Sequence, residues 1–465
     1  MISLLTFFLF SFSLQASDYT SELKKLGQMK IEEGQCREME AKIGQLLYAT
    51  VYLKGNNQPE NEAYIDMARD LNLGGVLPHY YENPSNQQIY DWNQKLKSAT
   101  PIPTLVGVDY VFSCGLGYGK GVLFQAPADC KSQYYQLQAA CHAHYGLNHA
   151  LGPTVEHNSE NPPSMKFENI EKEGSDLIKQ FNQYGIPTTL KHFPYTPSEY
   201  NLHSQSRDTK LTKETVEQKL KNFEVLAPQA DFAMSTHLYN SAIDKMEMAT
   251  FSKTWVSLLR NQANFQGILM TDALFMIESY KANMIAMSRK WNDNEWKRKL
   301  NNQSIFAVRA LLAGHDMVFL DATFQDTRKI FNDILYIACE NTKTSNELRM
   351  TIKNSWKKIT DYKKEEKQAL LNSPTFNNEF LMKTLKVLQT DGPTCPQINE
   401  ALALIKSAPT TGLKQYSFKK DKDCIDCQKK EIEIDKTPAQ INELIKDIEK
   451  IEEHDPEDPT NHGEH

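Results

Sequence analysis

Ionisable side chains end several short apolar runs of the chain. The runs TLVGVD, PTTLKH, FAMSTH and GILMTD end in Asp109, in Lys191 with His192, in His237 and in Asp272. Carboxylate, amine and imidazole groups serve enzymes as nucleophiles, charge partners and general acid–base groups. Strand ends are often polar, but this repeated ending in one chain indicates a shared site.

These runs belong to a set of short apolar segments that we predict to be strands. The segments are 43–52, 74–77, 104–109, 150–153, 187–192, 232–237, 267–272 and 316–320. Helical patterns, for example at 212–226 and 255–261, fill most of the gaps. Such alternation predicts parallel strands in an α/β fold, and eight units over about 300 residues suit a (β/α)8 TIM-type barrel. Barrel enzymes carry their catalytic groups at the C-terminal strand ends, where the ionisable residues listed above would meet.

A doubly wound sheet is the alternative architecture. It would place a Gly-rich phosphate loop after its first strand, and YLKG at 52–55 is not such a loop. We therefore assign a barrel to residues 17–363.

The composition excludes several classes of protein. Hydrophobic residues make up 40% and charged residues 24% of the 465 residues, which excludes a wholly disordered chain. The net charge of −7 gives no sign of the basic face that nucleic-acid binding requires. No internal run reaches the roughly 18 apolar residues of a membrane span. No cluster of ligand residues implies a metal or an organic cofactor.

An apolar run near the N-terminus predicts export. SLLTFFLFSFSL at 3–14 is too short for a membrane span but fits the core of a signal peptide, and cleavage after Ala16 fits the small residues there. The preceding residues contain no Lys or Arg, which leaves a buried N-terminal helix as the alternative. We predict a signal peptide at 1–16 and a mature chain in a periplasm or outside the cell.

Eight cysteines are compatible with disulfides in an exported protein, but the sequence does not determine their pairing. Cys424 and Cys427 form a C-x-x-C in a charged tail, without the second ligand pair of a zinc site or the βαβ context of a redox motif. We interpret this pair as a local or structural disulfide.

The pattern changes beyond the barrel. Helical spacing at 377–388 and 438–451 predicts a helical C-terminal extension at 364–453. The acidic, Pro-containing end, HDPEDPTNHGEH at 454–465, is predicted to be a disordered tail. No motif in this region indicates a function or an oligomeric state.

Three motifs occur in order along the predicted barrel. KHFP begins at Lys191, TDALFM at Thr271 and AGHDM at Ala313. Together they resemble the K-H-F-P, [ST]-D-x-L-x-M and A-G-x-D-M elements of glycoside hydrolase family 3, in particular its β-N-acetylglucosaminidase branch. The resemblance runs from about residue 42 to residue 363. It implies a barrel that acts on an amino-sugar glycan.

The resemblance also implies roles for the strand-end residues. Retaining glycoside hydrolysis uses a carboxylate that attacks the anomeric carbon, and Asp272 matches that nucleophile. Judged alone, Asp272 would be the N-cap of the next helix. Asp109, Lys191 and His192 match residues that bind sugar hydroxyls. His237 either lines the site or is a buried structural histidine.

The predicted acid lies on the loop after KHFP, where His203 matches the histidine of the family's D-x-H arrangement. A histidine exchanges protons near neutral pH. Asn201 replaces the family's Asp, so it can orient the imidazole but cannot stabilise imidazolium by charge. Glu199 or Asp208, on the same loop, could supply a carboxylate instead. An ordinary loop histidine is the alternative interpretation.

Two substrate-binding runs depart from the family pattern. The D-x-E-G-G-x-V-x-R run reads DYVFSCGLGYGK here, and the N-x-x-x-x-R-S-F loop reads NSENPPSMKF. Both lack the arginine, and Lys120 and Lys166 cannot reproduce its planar fork. The prediction is an exported retaining β-N-acetylhexosaminidase that acts on peptidoglycan- or chitin-derived glycans. The alternative is a catalytically inactive barrel that binds glycan or protein.

Overall fold

The computed structural model describes most of the predicted barrel. The described residues are 33–55, 59–109, 127–155, 169–195, 211–278, 302–371, 383–384, 386–387 and 393–405. The predicted signal peptide, the acidic tail, the Cys424–Cys427 pair and most of the helical extension lie outside them, as do Asn201 and His203.

Eight parallel strands form the centre of the fold. They are β1 (Leu47–Lys54), β2 (Gly75–Tyr81), β3 (Leu105–Val108), β4 (His149–Ala150), β5 (Thr189–Phe193), β6 (Phe232–Ser235), β7 (Ile268–Ala273) and β8 (Met317–Leu320). Their order is β4-β3-β2-β1-β8-β7-β6-β5, and bridges from Ala150 to Thr188 and from Thr154 to Lys191 bring β4 beside β5. This nearly closed ring confirms the predicted (β/α)8 barrel.

Helices alternate with the strands and surround them. Those described are α1 (Glu33–Ile43), α2 (Pro59–Asp70), α3 (Asn86–Lys97), α4 (Lys131–His144), α5 (Ile170–Gln183), α6 (Lys213–Leu226), α7 (Lys253–Ser257), α8 (Phe275–Glu278), α9 (Asn302–Ala313), α10 (Phe324–Cys339), α11 (Lys343–Glu365), α12 (Lys367–Leu371) and α13 (Cys395–Ala403). Polar side chains cap many of the N-termini: Ser85, Asn169, Thr212, Thr323 and Thr342 each accept a hydrogen bond from the backbone amide three residues later. Within the described ranges, no helix is long and apolar enough to cross a bilayer.

The start of the first predicted strand is wrong. Ile43 ends α1, and Gly44–Leu46 form a 3-10 turn, so β1 begins only at Leu47. A Cβ on Gly44 would lie 1.6 Å from the carbonyl oxygen of Leu71, and the turn can therefore approach the end of α2 only with a glycine. The residues of this turn are buried, as Ile43 is, so the sequence before Leu47 has the same apolar pattern as a buried strand.

A tyrosine fills the interior of the barrel between its two ends. Tyr48 is fully buried, and its hydroxyl lies 3.1 Å from Nδ1 of His149. A Cβ on Gly75 or Gly107 would lie about 2 Å from atoms of this tyrosine, so β2 and β3 admit the ring only because they carry glycines here. Nε2 of His149 lies 2.8 Å from the hydroxyl of Thr189. These bonds give the site above a packed, hydrogen-bonded floor.

Ion pairs close the amino end of the barrel. Asp316 immediately precedes β8 and accepts hydrogen bonds from Arg260 at 2.7 Å, from Lys358 at 3.1 Å and from the Leu269 amide at 2.9 Å. Burial alone would raise the pKa of Asp316, but the charges of Lys358 and Arg260 hold that pKa below its ordinary value. The Asp of AGHDM thus ties β7, β8 and α11 together.

A buried lysine lies at the same end. Nζ of Lys363, on α11, donates to Oε1 of Gln45 at 2.9 Å and to the carbonyl oxygen of Gly74 at 2.5 Å. Burial lowers the pKa of Lys363 to about 7, because an ammonium group loses its hydration there.

Disulfides connect distant parts of the described chain. One joins Cys36 in α1 to Cys339 at the end of α10, and another joins Cys130 beside α4 to Cys395 at the start of α13. Cys141 is also disulfide-bonded.

Candidate active site

Asp109 and Lys191 meet at the carboxyl end of the barrel. Asp109 directly follows β3, Lys191 belongs to β5, and Nζ of the lysine lies 2.6 Å from Oδ1 of the carboxylate. Lys191 is only 8% exposed, so it is not a surface strand end. Burial alone would raise the pKa of Asp109, but Lys191, with smaller effects from His192 and His79, holds that pKa below its ordinary value. The pair therefore offers a carboxylate acceptor and an amine donor, which can both hydrogen-bond to the hydroxyl groups of a ligand.

Asp272 lies next to His192 at the same end. Nε2 of His192 is 3.8 Å from Oδ2 of Asp272, and Oδ1 accepts a hydrogen bond from the Ala273 amide at 2.7 Å. The side chains of Asp272 and His192 are 16% and 22% exposed, so a ligand can reach both. The peptide bond between Lys191 and His192 is cis, and their side chains reach different carboxylates.

The alternative role of Asp272 as a helix cap does not fit the structure. Helix α8 begins at Phe275. An N-cap side chain accepts from a backbone amide two or three residues after it. Asp272 instead accepts from the residue directly after it. Among the described residues, that bond is the single short contact of its carboxylate, and His192 lies beyond hydrogen-bonding distance of Oδ2. Oδ2 thus has no hydrogen-bond partner among the described residues, and the side chain is partly exposed.

His237 is completely buried one strand away. Its Nδ1 lies 2.7 Å from the hydroxyl of Thr250, and its Nε2 lies 3.0 Å from the carbonyl oxygen of Ala273. A carbonyl oxygen only accepts, so Nε2 donates to it. His237 therefore holds the residue that follows Asp272, as a positioning residue does. Its contact with a sugar stays a prediction, and so do the acid–base roles of His203 and Asn201, which lie outside the described residues.

Three further groups at this end were missed by the sequence analysis. Asp321 directly follows β8, and the hydroxyl of Tyr52 donates to its Oδ1 at 2.5 Å. The ring of Tyr52 stacks on His79, with 5.6 Å between ring centroids and 29° between planes. Asp321, like Asp272, is an acidic residue at the end of an apolar run that forms a strand. The criterion that selected Asp272 from the sequence would therefore have selected Asp321 as well.

Comparison with known proteins relates this chain to a family of enzymes. The chain matches the family described as "Glycosyl hydrolase family 3 N terminal domain" over residues 38–359. No curated protein matches the chain.

Solved structures show the same architecture. A β-N-acetylhexosaminidase from Beutenbergia cavernae DSM 12333 is 19% identical with a TM-score of 0.55, and the alignment covers 70% of this chain and 98% of that one. A family 3 β-N-acetylglucosaminidase from Paenibacillus sp. str. FPU-7 is 16% identical with a TM-score of 0.57, over 78% of this chain and 68% of that one. The β-glucoside phosphorylase BglX bound to 2FGlc is 15% identical with a TM-score of 0.57, over 81% and 68%. At these identities, the structural likeness establishes the fold alone. The family match itself extends over more than half of the chain, and the chain therefore belongs to glycosyl hydrolase family 3.

Proposed function

We propose that the protein is an exported glycosidase that hydrolyses β-linked N-acetylhexosaminides with retention of configuration, on peptidoglycan- or chitin-derived glycans. The observation that carries this proposal is the position of Asp272 near the carboxyl end of β7, where its partly exposed side chain lies beside His192. The same mouth holds the Asp109–Lys191 pair. The relatives described as β-N-acetylhexosaminidase and β-N-acetylglucosaminidase support the choice of sugar.

The first step forms a glycosyl-enzyme. Asp109, Lys191 and His192 bind hydroxyl groups of the sugar and fix the anomeric carbon near Asp272. Oδ2 of Asp272 attacks that carbon, the glycosidic C–O bond breaks, and protonated His203 gives its proton to the leaving oxygen. The product of this step is an ester between Asp272 and the sugar.

The second step releases the sugar. Neutral His203 accepts a proton from water, the water oxygen attacks the anomeric carbon, and the ester C–O bond breaks. Two inversions at the same carbon retain its configuration. Asn201 holds the imidazole of His203 by a hydrogen bond in this scheme.

Export is supported by two disulfides, one from α1 to α10 and the other from Cys130, just before α4, to α13. Such bonds persist in oxidising compartments, which agrees with the apolar N-terminal run and removal of residues 1–16.

A second candidate function is glycan binding without hydrolysis. Asn201 in place of the family's Asp specifically favours it, because an amide cannot stabilise imidazolium by charge.

The test is the rate of hydrolysis of a chromogenic β-N-acetylglucosaminide by the mature protein and by Asp272→Asn. We expect turnover by the wild type and a loss of about a thousandfold or more in the variant. Asp70→Asn, which alters an exposed ion pair with Arg328 on the surface, is the matched control and should retain full activity. If the wild type is inert on this and on other β-glycosides yet binds N-acetylglucosamine, the second candidate replaces the first.

A further inference from the structure

Three side chains of adjacent strands line one half of the barrel mouth. Side chains two residues apart on a strand share a face. The rings of Tyr48 and Phe319 meet inside the barrel, so Tyr52 and Asp321 share that inward face. His79 is the register partner of Tyr52 and lies against its ring. We call Asp321, Tyr52 and His79 the β8–β1–β2 wall.

The strands of the β8–β1–β2 wall lie between the strands that carry Asp272 and Asp109. Asp272 lies on β7, which pairs with β8, and Asp109 follows β3, which pairs with β2. Lys191 and His192 belong to β5, on the opposite half of the ring. A sugar held between Asp109 and Asp272 therefore has Lys191 and His192 along one edge and the wall along the other.

The chemistry of the wall suits hydroxyl groups. Burial raises the pKa of Tyr52, and its hydrogen bond to Asp321 raises that pKa further, so the phenol stays protonated and donates to the carboxylate. This bond fixes Asp321 as an acceptor with one oxygen committed to Tyr52. Burial lowers the pKa of His79, while the charges of Asp321 and Asp109 oppose that shift. A neutral imidazole carries one donor and one acceptor. All three side chains are partly exposed, so a ligand can reach them.

We propose that Asp321 and His79 bind hydroxyl groups of the sugar held by Asp109 and Lys191, that Tyr52 is the positioning residue for Asp321, and that this wall determines which hexosamine is accepted. The proposal rests on the proposed function, since it concerns the same sugar. It adds residues that none of the motifs KHFP, TDALFM or AGHDM contains.

The test combines Asp321→Ala with a panel of aryl β-N-acetylglucosaminides that lack the 3-, 4- or 6-hydroxyl. We expect Asp321→Ala to lower kcat/KM for the parent substrate by about 10- to 100-fold. For one deoxy analogue, wild type and variant should become equal, because the contact has already been lost from the substrate. Tyr52→Phe should raise KM by about three- to tenfold with a smaller change in kcat, since it loosens Asp321 without removing it.

Asp70→Ala and Tyr184→Phe are matched controls. The first removes a surface carboxylate, and the second removes a buried hydroxyl that accepts from Gln136. Both should stay within twofold of wild type on every substrate. The proposal is overturned if Asp321→Ala leaves kcat/KM unchanged, or lowers it by the same factor for every analogue, because a merely structural role would do that.

A calorimetric measurement separates this proposal from the proposed function. The probes are N-acetylglucosamine and its deoxy analogues, with wild type and Asp321→Ala. The proposed contact is supported if Asp321→Ala binds every sugar more weakly than wild type does, except one deoxy analogue that both bind equally. This outcome supports the role of the β8–β1–β2 wall even if the protein hydrolyses nothing. Equal affinity of wild type and variant for the whole panel overturns the wall, whether or not hydrolysis occurs.

Discussion

Charged side chains occupy both ends of the barrel, but their partners differ. At the amino end, Asp316 is 7% exposed and accepts from Arg260, from Lys358 and from a backbone amide. At the carboxyl end, the Asp272 carboxylate has one short hydrogen bond among the described residues and stays accessible. A buried carboxylate with a full set of hydrogen-bond partners holds structural elements together. An accessible carboxylate with few partners is available to a ligand. In this barrel, the fully partnered Asp316 therefore lies at the amino end and the accessible Asp272 at the carboxyl end, where barrel enzymes generally carry their catalytic groups.

The largest effect should come from Asp272→Ala. Removing the proposed nucleophile should lower the rate of glycoside hydrolysis by about a thousandfold or more. The melting temperature should stay close to that of wild type, since only one amide contact is lost. Added azide should restore part of the rate and give the α-glycosyl azide, because the small anion attacks in place of the carboxylate. A variant that azide does not rescue, or that gives the β-azide, would contradict the role of Asp272.

Asp316→Ala should have the opposite signature. It leaves Arg260 and Lys358 beside an empty acceptor position, and breaking such a buried pair costs about 3–5 kcal/mol of the free energy of unfolding. The activity per folded molecule should be unchanged. Denaturant unfolding and active-site titration measure the two quantities. The control is Asp361→Ala on α11, the helix that carries Lys358. It removes an exposed pair with Lys357 and should cost at most about 1 kcal/mol, so equal losses in the two variants would refute the contrast.

Lys363→Met tests the amino end through pH. The folded-state pKa of Lys363 is about 7 and its usual value is 10.5, so between these values the unfolded chain binds more protons and wild-type stability rises with pH. The neutral amine still donates to Gln45 and Gly74, and methionine cannot. The variant should therefore lose more stability at pH 9 than at pH 6, by roughly 2 kcal/mol.

Urea unfolding at these two pH values measures the difference, with the exposed Lys367→Met as control. If the variant loses the same stability at both pH values, or more at pH 6, then burial does not lower the pKa of Lys363 in the folded protein.

The smallest effect is expected for Lys191→Met on stability. Lys191 holds the pKa of Asp109 in the folded protein below its usual value. The ion pair therefore stabilises the fold above the usual carboxyl pKa, and this stabilisation is lost as the pH falls through the lower folded-state pKa. The variant should thus lose about 1 kcal/mol at pH 7, after allowance for solvent screening, and less near pH 3. Thermal unfolding against pH measures this, with the exposed pair variant Lys54→Met as reference. A loss that grows toward acid would contradict the ion pair.

Much of the fold follows from the sequence because strands of a parallel barrel are buried on both faces. Each of the eight predicted apolar runs overlaps a strand of the structure. Helix α6 was predicted at 212–226 and runs from Lys213 to Leu226, since Thr212 caps it. Boundaries failed where packing overrides pattern, as at Gly44–Leu46, where a buried turn resembles a strand.

The site was harder to predict, because its pairs join residues far apart in the chain. Strand-end chemistry drew attention to Asp109 and Lys191 separately, but their contact spans 82 positions and depends on closure of the ring. The disulfide from Cys36 to Cys339 spans 303 positions, and its pairing could not be predicted from the sequence for the same reason. Tyr52 escaped notice because it lies inside a strand, and only the register with His79 shows that both reach the mouth.

The most direct measurement is the mass spectrum of peptides from enzyme treated with 2-acetamido-2-deoxy-5-fluoro-β-glucosyl fluoride, which slows both steps but leaves a good leaving group. If the carboxyl end of the barrel is a retaining glycosidase site, the glycosyl ester accumulates, and fragmentation places it on Asp272 in the peptide that contains TDALFM. An ester on another carboxylate, such as Asp109 or Asp321, would contradict the assignment. So would unmodified enzyme that turns over β-N-acetylglucosaminides but is not inactivated.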